Sequence, residues 1–480
     1  MSQNLPVFSS LRWVHILGVG GTLMGSFAAH LRRHGIRVTG SDGNIYPPMS
    51  DVLKNAGVEV FSSYRPENLK QFADRPDLVV IGNVISANNP EAQFVLNQNY
   101  VYSSLPEVLE KLILKNTFNI VVAGTHGKTT TSSLLSYVLT YCGKKPNYFI
   151  GGVSFDLPSF HIESLDEGQL FILEGDEYDT AFWAKVPKFN YYLPRHVILT
   201  SIEYDHADIY PDLESVVNAF DGLISRINVS GHLIAHIDDK NIEKLLKQSN
   251  CPVFTYGINS QSEYVATSIC IQEEKTEFEI LNHGKSHENV QIKLSGNHNI
   301  LNSLAVWIEA EKLGLDPQKV KEAFKTFRGV KRRQEIKGCY NDILLIEDFA
   351  HHPTAVRLTL VALKAQYPKR RLIVIFEPRS ATSRRKIFQK EYVKAFAEAS
   401  HIFIAEAFDQ SKILLSDRFS SQELVADLLK LNKNAYFFNS VDDGVKQVSE
   451  YCQSGDLIVV MSNGGFGGFL VKLIDLIELF

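Results

Sequence analysis

Short runs of β-branched and aliphatic residues alternate along this chain with longer stretches whose apolar positions recur every three or four residues. A first run at residues 14–17 leads into a glycine-rich turn, a helical stretch to about residue 34, and a second run at 37–40 that ends on Ser41-Asp42. Similar apolar runs return at residues 77–81, 120–122, 170–173 and 197–201. Such runs separated by helical periodicity predict βαβ units and parallel sheets, whose strands are buried on both faces. Residues 106–115 read as a connecting helix. Between residues 264 and 294 the pattern changes to short alternating runs at 265–269, 278–281 and 290–294, with Asn282-His283-Gly284 between two of them. That predicts antiparallel hairpins appended to the parallel sheet. A helix over about 299–313, stopped by Gly314 and Pro317, precedes further strands at 343–346, 371–376, 402–405, 435–438 and 457–461.

Length fits this division, since about 150 residues per domain gives about three domains. The fold expected is α/β in three domains. Residues 1–116 would form a Rossmann-like N-terminal unit, and 117–327 a central P-loop-type parallel sheet with appended antiparallel strands. Residues 328–480 would form a Rossmann-like C-terminal unit. Composition narrows the partners. The chain is 45% hydrophobic and 21% charged with a net charge of −5, which gives no reason to expect nucleic acid or an anionic membrane. No apolar run approaches the roughly 20 residues of a membrane helix, and no export signal is expected at the start. Cys142, Cys251, Cys270, Cys339 and Cys452 are scattered without a CxxC pair, as suits a reducing, cytoplasmic setting.

The strongest chemical signal is Gly124-Thr125-His126-Gly127-Lys128-Thr129-Thr130, set where an apolar strand becomes an apolar-periodic helix. Backbone N–H groups of such a turn face an anion, Lys128 supplies a point charge, and Thr129 is suited to a Mg²⁺ ion. The strict P-loop has a glycine six residues before the lysine, and Val122 stands there. A second glycine-rich turn, Gly18-Val-Gly20-Gly21, follows the first strand, with Asp42 at the end of the second. That is the layout of a diphosphate or ribose site, but Leu23 occupies the third glycine position of the dinucleotide fingerprint, so a conventional NAD site is not expected.

Acids and imidazoles follow at predicted strand ends: Glu174-Gly-Asp176-Glu177-Tyr178-Asp179, then Glu203-Tyr-Asp205-His206-Ala-Asp208. Ligands of parallel sheets bind beyond the carboxyl ends of strands, so these groups share an edge with the phosphate loop. Later come His298-Asn299-x-x-Asn302, Arg332-Arg333-x-Glu335 and Glu347-Asp348-Phe-Ala-His351-His352-Pro353. Taken singly, the asparagines also fit helix capping, the arginines a solvated face, and the histidines a satisfied core.

Together these motifs, in this order from about residue 14 to 468, resemble the Mur ligase family of ATP-dependent amide-forming enzymes. Tyr178, Phe349-Ala-His351-His352 and Glu377-Pro-Arg379-Ser380-x-Thr382 resemble the branch that joins UDP-N-acetylmuramate to the murein tripeptide L-Ala-γ-D-Glu-meso-diaminopimelate. The resemblance implies ATP and Mg²⁺ as cofactors, small-molecule substrates, and a monomer or weak homodimer. It implies Thr129, Glu174 and His206 around Mg²⁺, and Lys128, His206, His351 and His352 near the chemistry. The whole loop from Gly124 to Thr130, with Asn299, Asn302, Arg333 and Asp348, would bind ATP. Gly18, Gly20, Gly21 and Asp42 would line the UDP end, and Arg379 or Ser462 would meet the incoming peptide. The C-terminal domain would close over the central one about a hinge near residues 327–329. One departure stands out: the carbamylated lysine of several family members falls on Phe220 here. Alternatives are the UDP-N-acetylmuramate–L-alanine ligase branch, a P-loop NTPase switch, and a non-catalytic sugar-nucleotide binding protein.

Overall fold

Strand Trp13–Leu17, buried along its whole length, is the centre of the first sheet. Its neighbours are Arg37–Ser41 and Leu78–Ile81, with Glu59–Phe61 and Tyr102–Ser103 at the edges, all parallel. Helix Thr22–Arg33 lies close against this sheet. A Cβ on Gly25 would come 2.8 Å from the Val19 carbonyl oxygen and 2.6 Å from the Met49 side chain, so this approach needs glycine. The structure, a computed structural model, describes residues 5–259 and 261–478; residues 1–4 and 479–480 of the outer units expected above lie outside it.

The second sheet has ten strands. Phe118–Ala123 runs parallel between His196–Leu199 and Leu170–Gly175. Beyond His196–Leu199 the sheet continues through His232–His236 and Val253–Gly257 to Tyr264–Ile271. There the antiparallel strands Thr276–Asn282 and Lys285–Ile292 extend the edge, as the alternating pattern predicts. Helices Lys128–Tyr141 and Asn297–Lys312 cover one face, where Leu134, Leu135 and Val138 share a core with Ile300 and Leu304. The other face shares its core with the N-terminal unit: Phe27 packs edge-on to Phe160, 5.4 Å between centroids.

The third sheet has six strands. Ile343–Asp348, Asp456–Met461, Arg371–Phe376, His401–Ala405 and Asn434–Phe438 run parallel, with an antiparallel edge at Glu335–Tyr340. The fold is therefore α/β, as the periodicity indicates, with three large sheets and a two-stranded antiparallel ribbon, Asp179–Ala181 with Ala184–Pro187, among the described residues. The connecting helix is α over Leu105–Leu109 and widens into a π turn over Glu110–Leu114. Among the described residues, no helix is long and apolar enough to cross a membrane.

One buried polar cluster ties the central layers together at the end of the sheet away from the phosphate loop. His196 and His232 are register partners on adjacent strands, and their rings stack 3.5 Å apart. Glu309, fully buried on helix Asn297–Lys312, accepts from His196 Nδ1 and His232 Nε2, both at 2.8 Å. Burial alone would raise the Glu309 pKa, but the two imidazoles outweigh it and hold it at about 2. A depressed carboxyl contributes stability above its unfolded pKa and loses it as pH falls through the folded one. Glu309→Ala should therefore cost about 3 kcal/mol at neutral pH. Urea titrations should show the gap to the parent narrowing as pH falls from about 4.5 towards about 2.

Candidate nucleotide and metal site

The phosphate loop starts where Phe118–Ala123 leaves the carboxyl edge of the central sheet. Gly124 turns there with φ +135°, and a Cβ would lie 2.8 Å from both N and O of Ser201. Only glycine closes this turn. Thr125 N donates to Ser201 O (2.8 Å) and His126 N to Ser201 Oγ (2.9 Å), which fixes the loop against the neighbouring strand end. Gly127 then caps helix Lys128–Tyr141 in the left-handed region. Val122, at the missing-glycine position, is a fully buried strand residue paired with Ile198 and Glu174.

Lys128 is held by three acceptors. Its Nζ donates to Gly124 O (2.6 Å), Thr125 O (3.2 Å) and the carboxylate of Glu177, 2.9 Å away at Oε2. Glu177 is 1% exposed and also takes His206, whose Nε2 lies 3.1 Å from Oε1. His206 adopts a left-handed backbone (φ 56°) and packs on the Tyr178 ring at 4.0 Å. Burial pulls both cations' pKa values down, yet the surrounding carboxylates, Glu177 foremost, leave Lys128 and His206 above their ordinary values. The site thus sets Lys128 and His206 on one buried carboxylate, in a place built for anions.

Beside it, Thr129 Oγ1 donates to Glu174 Oε1 (2.8 Å), and Gly151 N donates to Glu174 Oε2 (2.5 Å). Burial raises the Glu174 pKa despite Lys128 nearby. A buried carboxylate in contact with a hydroxyl oxygen offers hard donors of the kind Mg²⁺ takes. The Nε2 of His206 points to Glu177.

A cavity of about 630 Å³ opens over the loop, within the usual range for small-molecule sites. Thr125, His126, Gly127, Lys128, Thr129 and Thr130 line it from below, with Glu174 and His206 beside them. Asn299 and Asn302 come from the start of helix Asn297–Lys312. Asn299 Nδ2 donates to Ser295 O (2.8 Å), and Asn302 Nδ2 to Asn299 Oδ1 (3.3 Å). The far wall belongs to the C-terminal unit: Arg333, Asp348, His351 and His352. Asp348 accepts from Gln334 N and Ala350 N, both at 2.7 Å, so its carboxylate is anchored by backbone. Burial lowers the Arg333 pKa and raises that of Asp348. Burial also lowers both histidines, His352 to about 4. His352 caps helix Pro353–Gln366 and reaches Tyr204 O at 3.2 Å, while His351 Nε2 lies 4.0 Å from Asp205. Thr382 Oγ1 donates to Asp205 Oδ1 (2.6 Å), a second clasp between the central and C-terminal units.

The remaining candidates lie apart from this cavity. Gly20 N donates to Asp42 Oδ2 (2.8 Å), and Gly18 N to Ser41 O (2.8 Å). Gly21 lines a second cavity of about 160 Å³ with Lys188 and Thr180, and Leu23 borders both cavities. Arg379 lies 3.2 Å from Glu377 and covers the Phe408 ring at 3.7 Å, while Ser462 Oγ donates to Glu377 Oε2 (2.5 Å). The residue that sequence reasoning did not single out is Glu177. Its place in an acidic run was visible, but not that it alone would bridge Lys128 and His206.

Comparison with known proteins places the chain in a family. Residues 13–117 match the Mur ligase catalytic domain, 122–310 the Mur ligase middle domain, and 332–464 the Mur ligase glutamate ligase domain. The UDP-N-acetylmuramate–L-alanyl-γ-D-glutamyl-meso-2,6-diaminoheptandioate ligase of Escherichia coli K12 is 35% identical over 96% of this chain and 97% of its own. The chain belongs to the Mur ligase family. It is accordingly an ATP-dependent enzyme that forms amide bonds. Among solved Mur ligases, a murein peptide ligase from Psychrobacter arcticus 273-4 superposes with a TM-score of 0.74 at 32% identity, covering 98% of this chain and 99% of that one. A Clostridium botulinum UDP-N-acetylmuramate–L-alanine ligase is 32% identical over 94% of this chain and 95% of its own.

Proposed function

We propose that this Mur ligase joins the carboxylate of UDP-N-acetylmuramate to the amine of L-Ala-γ-D-Glu-meso-diaminopimelate, with ATP consumed through an acyl phosphate. The observation that carries the reading is its likeness to the Escherichia coli tripeptide ligase along nearly the whole chain.

Amide formation from a carboxylate needs a leaving group on carbon, so the sugar carboxylate first attacks the γ-phosphate. Two anions then meet, and Lys128, preset by Gly124 and Thr125 carbonyls, offsets their repulsion in the transition state. Thr129 and Glu174 are the residues suited to Mg²⁺, which would supply further charge neutralisation on the phosphates; His206 lines the same cavity. Asn299, Asn302, Arg333 and Asp348 hold the rest of ATP. Gly18, Gly20, Gly21 and Asp42 hold the UDP end, and Arg379 or Ser462 meets the peptide. His351 or His352, both on the far wall of the cavity, is suited to accept the amine proton. Closure of residues 328–480 over 117–327 excludes water from the acyl phosphate.

The direct test is a substrate panel read by phosphate release. With ATP and UDP-N-acetylmuramate, free tripeptide should support turnover at least about tenfold faster than L-alanine; tenfold corresponds to only about 1.4 kcal/mol of discrimination. The opposite order would assign the chain to the alanine branch.

A further inference from the structure

Where the C-terminal unit meets the central one, Glu203 stands between two imidazoles. Its Oε2 lies 3.5 Å from His126 Nε2 and 3.5 Å from His352 Nδ1, and one ligand atom from each residue lies within 4.8 Å of the others. These separations exceed the roughly 2.7–3.2 Å of a good N–H···O bond. They are close to the roughly 3.3–3.4 Å that separates two donors on a tetrahedral ion with bonds of about 2.0–2.1 Å.

Three further details agree. His126 Nε2 is buried without a hydrogen-bond partner among the described residues. His352 Nε2 lies 3.2 Å from the Tyr204 carbonyl, so that nitrogen carries the hydrogen and Nδ1 offers its lone pair. A metal-bound imidazole normally donates its other N–H in this way. The two rings are tilted at 48° with centroids 4.8 Å apart, and Thr354 Oγ1 steadies the carboxylate at 2.6 Å. Among the described residues, the competing demand on His352 Nδ1 is the Thr354 N–H, at a long 3.3 Å. The His196–Glu309–His232 cluster makes the contrast: 2.8 Å contacts and stacked rings there are those of plain hydrogen bonds.

We propose that His126, Glu203 and His352 form a binding site for a late first-row divalent cation of the Zn²⁺ class, which pins the C-terminal domain against the central one. Two imidazoles and one carboxylate favour such an ion over Mg²⁺ and leave a fourth position open. The site shares the cavity with Thr129 and Glu174 but uses neither, and it joins residues of both domains, so an ion there holds the two together.

Co²⁺ titration of the full chain without nucleotide tests this, read by the visible absorption of a four-coordinate ion. One equivalent should produce the band, and Zn²⁺ should remove it. The band should persist in Glu174→Gln and weaken at least tenfold in apparent affinity in Glu203→Gln. Should Glu203→Gln not fold, His126→Gln makes the same test. No band, or a band kept by Glu203→Gln and lost by Glu174→Gln, would overturn the proposal.

Discussion

Replacing Lys128 by methionine is expected to lower kcat by about 10³-fold, the size of effect seen when one preset electrostatic donor is removed from a transition state. Methionine keeps the apolar stem and removes the charge. The side chain is poised rather than free, because Gly124 O, Thr125 O and Glu177 fix Nζ at the mouth of the loop. Its removal also leaves the Glu177 carboxylate buried with His206 as its remaining partner. A loss of activity could then reflect a weakened fold. The double substitution Lys128→Met with Glu177→Gln separates the two, since it removes the stranded charge. Steady-state phosphate release should stay about 10³-fold down in the double variant while its Tm recovers. Recovery of turnover along with Tm would make Lys128 a structural cation.

Glu177→Gln alone gives the second large effect. In the parent, this acid pairs with Lys128 and holds His206 before any phosphate arrives. Without it, Lys128 keeps only backbone carbonyls in direct contact, with Asp176 and Glu174 acting from further away, and breaking such a buried pair costs about 3–5 kcal/mol. Nucleotide phosphates supply the missing anion. The free variant should therefore melt well below the parent, and ADP should raise its Tm by more than it raises the parent's. Thermal unfolding with and without saturating ADP reads both numbers. Equal shifts in the two proteins would mean that Glu177 and the phosphates do not share Lys128.

Much of the architecture was legible because buried parallel strands write themselves as uninterrupted apolar runs. The antiparallel trio was legible from its alternation, which half-exposed strands require. The glycine motifs were harder to read. Val122 departs from the P-loop pattern because the strand stays buried two residues further, through Ala123, and Gly124 makes the turn. Leu23 departs from the dinucleotide pattern, and Gly25 instead allows the close helix–strand approach. Both are shifts of a physical job along the chain, which a fixed spacing cannot follow.

The candidate site was legible as a set of strand-end acids, but not as a wiring diagram. Glu174 and Glu177 look alike in sequence, yet one meets Thr129 and the other Lys128. The clasp from Thr382 to Asp205 joins residues far apart in sequence, which only domain docking brings together. His196, His232 and Glu309 carried no local signal at all, since their pairing depends on strand register and on the facing helix.

The central claim is that phosphate passes from ATP to the sugar carboxylate before the amide forms. The enzyme should be given UDP-N-acetylmuramate whose carboxylate carries heavy oxygen, together with ATP and the tripeptide. Mass analysis of the released phosphate should find one heavy oxygen per turnover, carried over from the carboxylate. Phosphate released during amide formation without that oxygen would contradict the account.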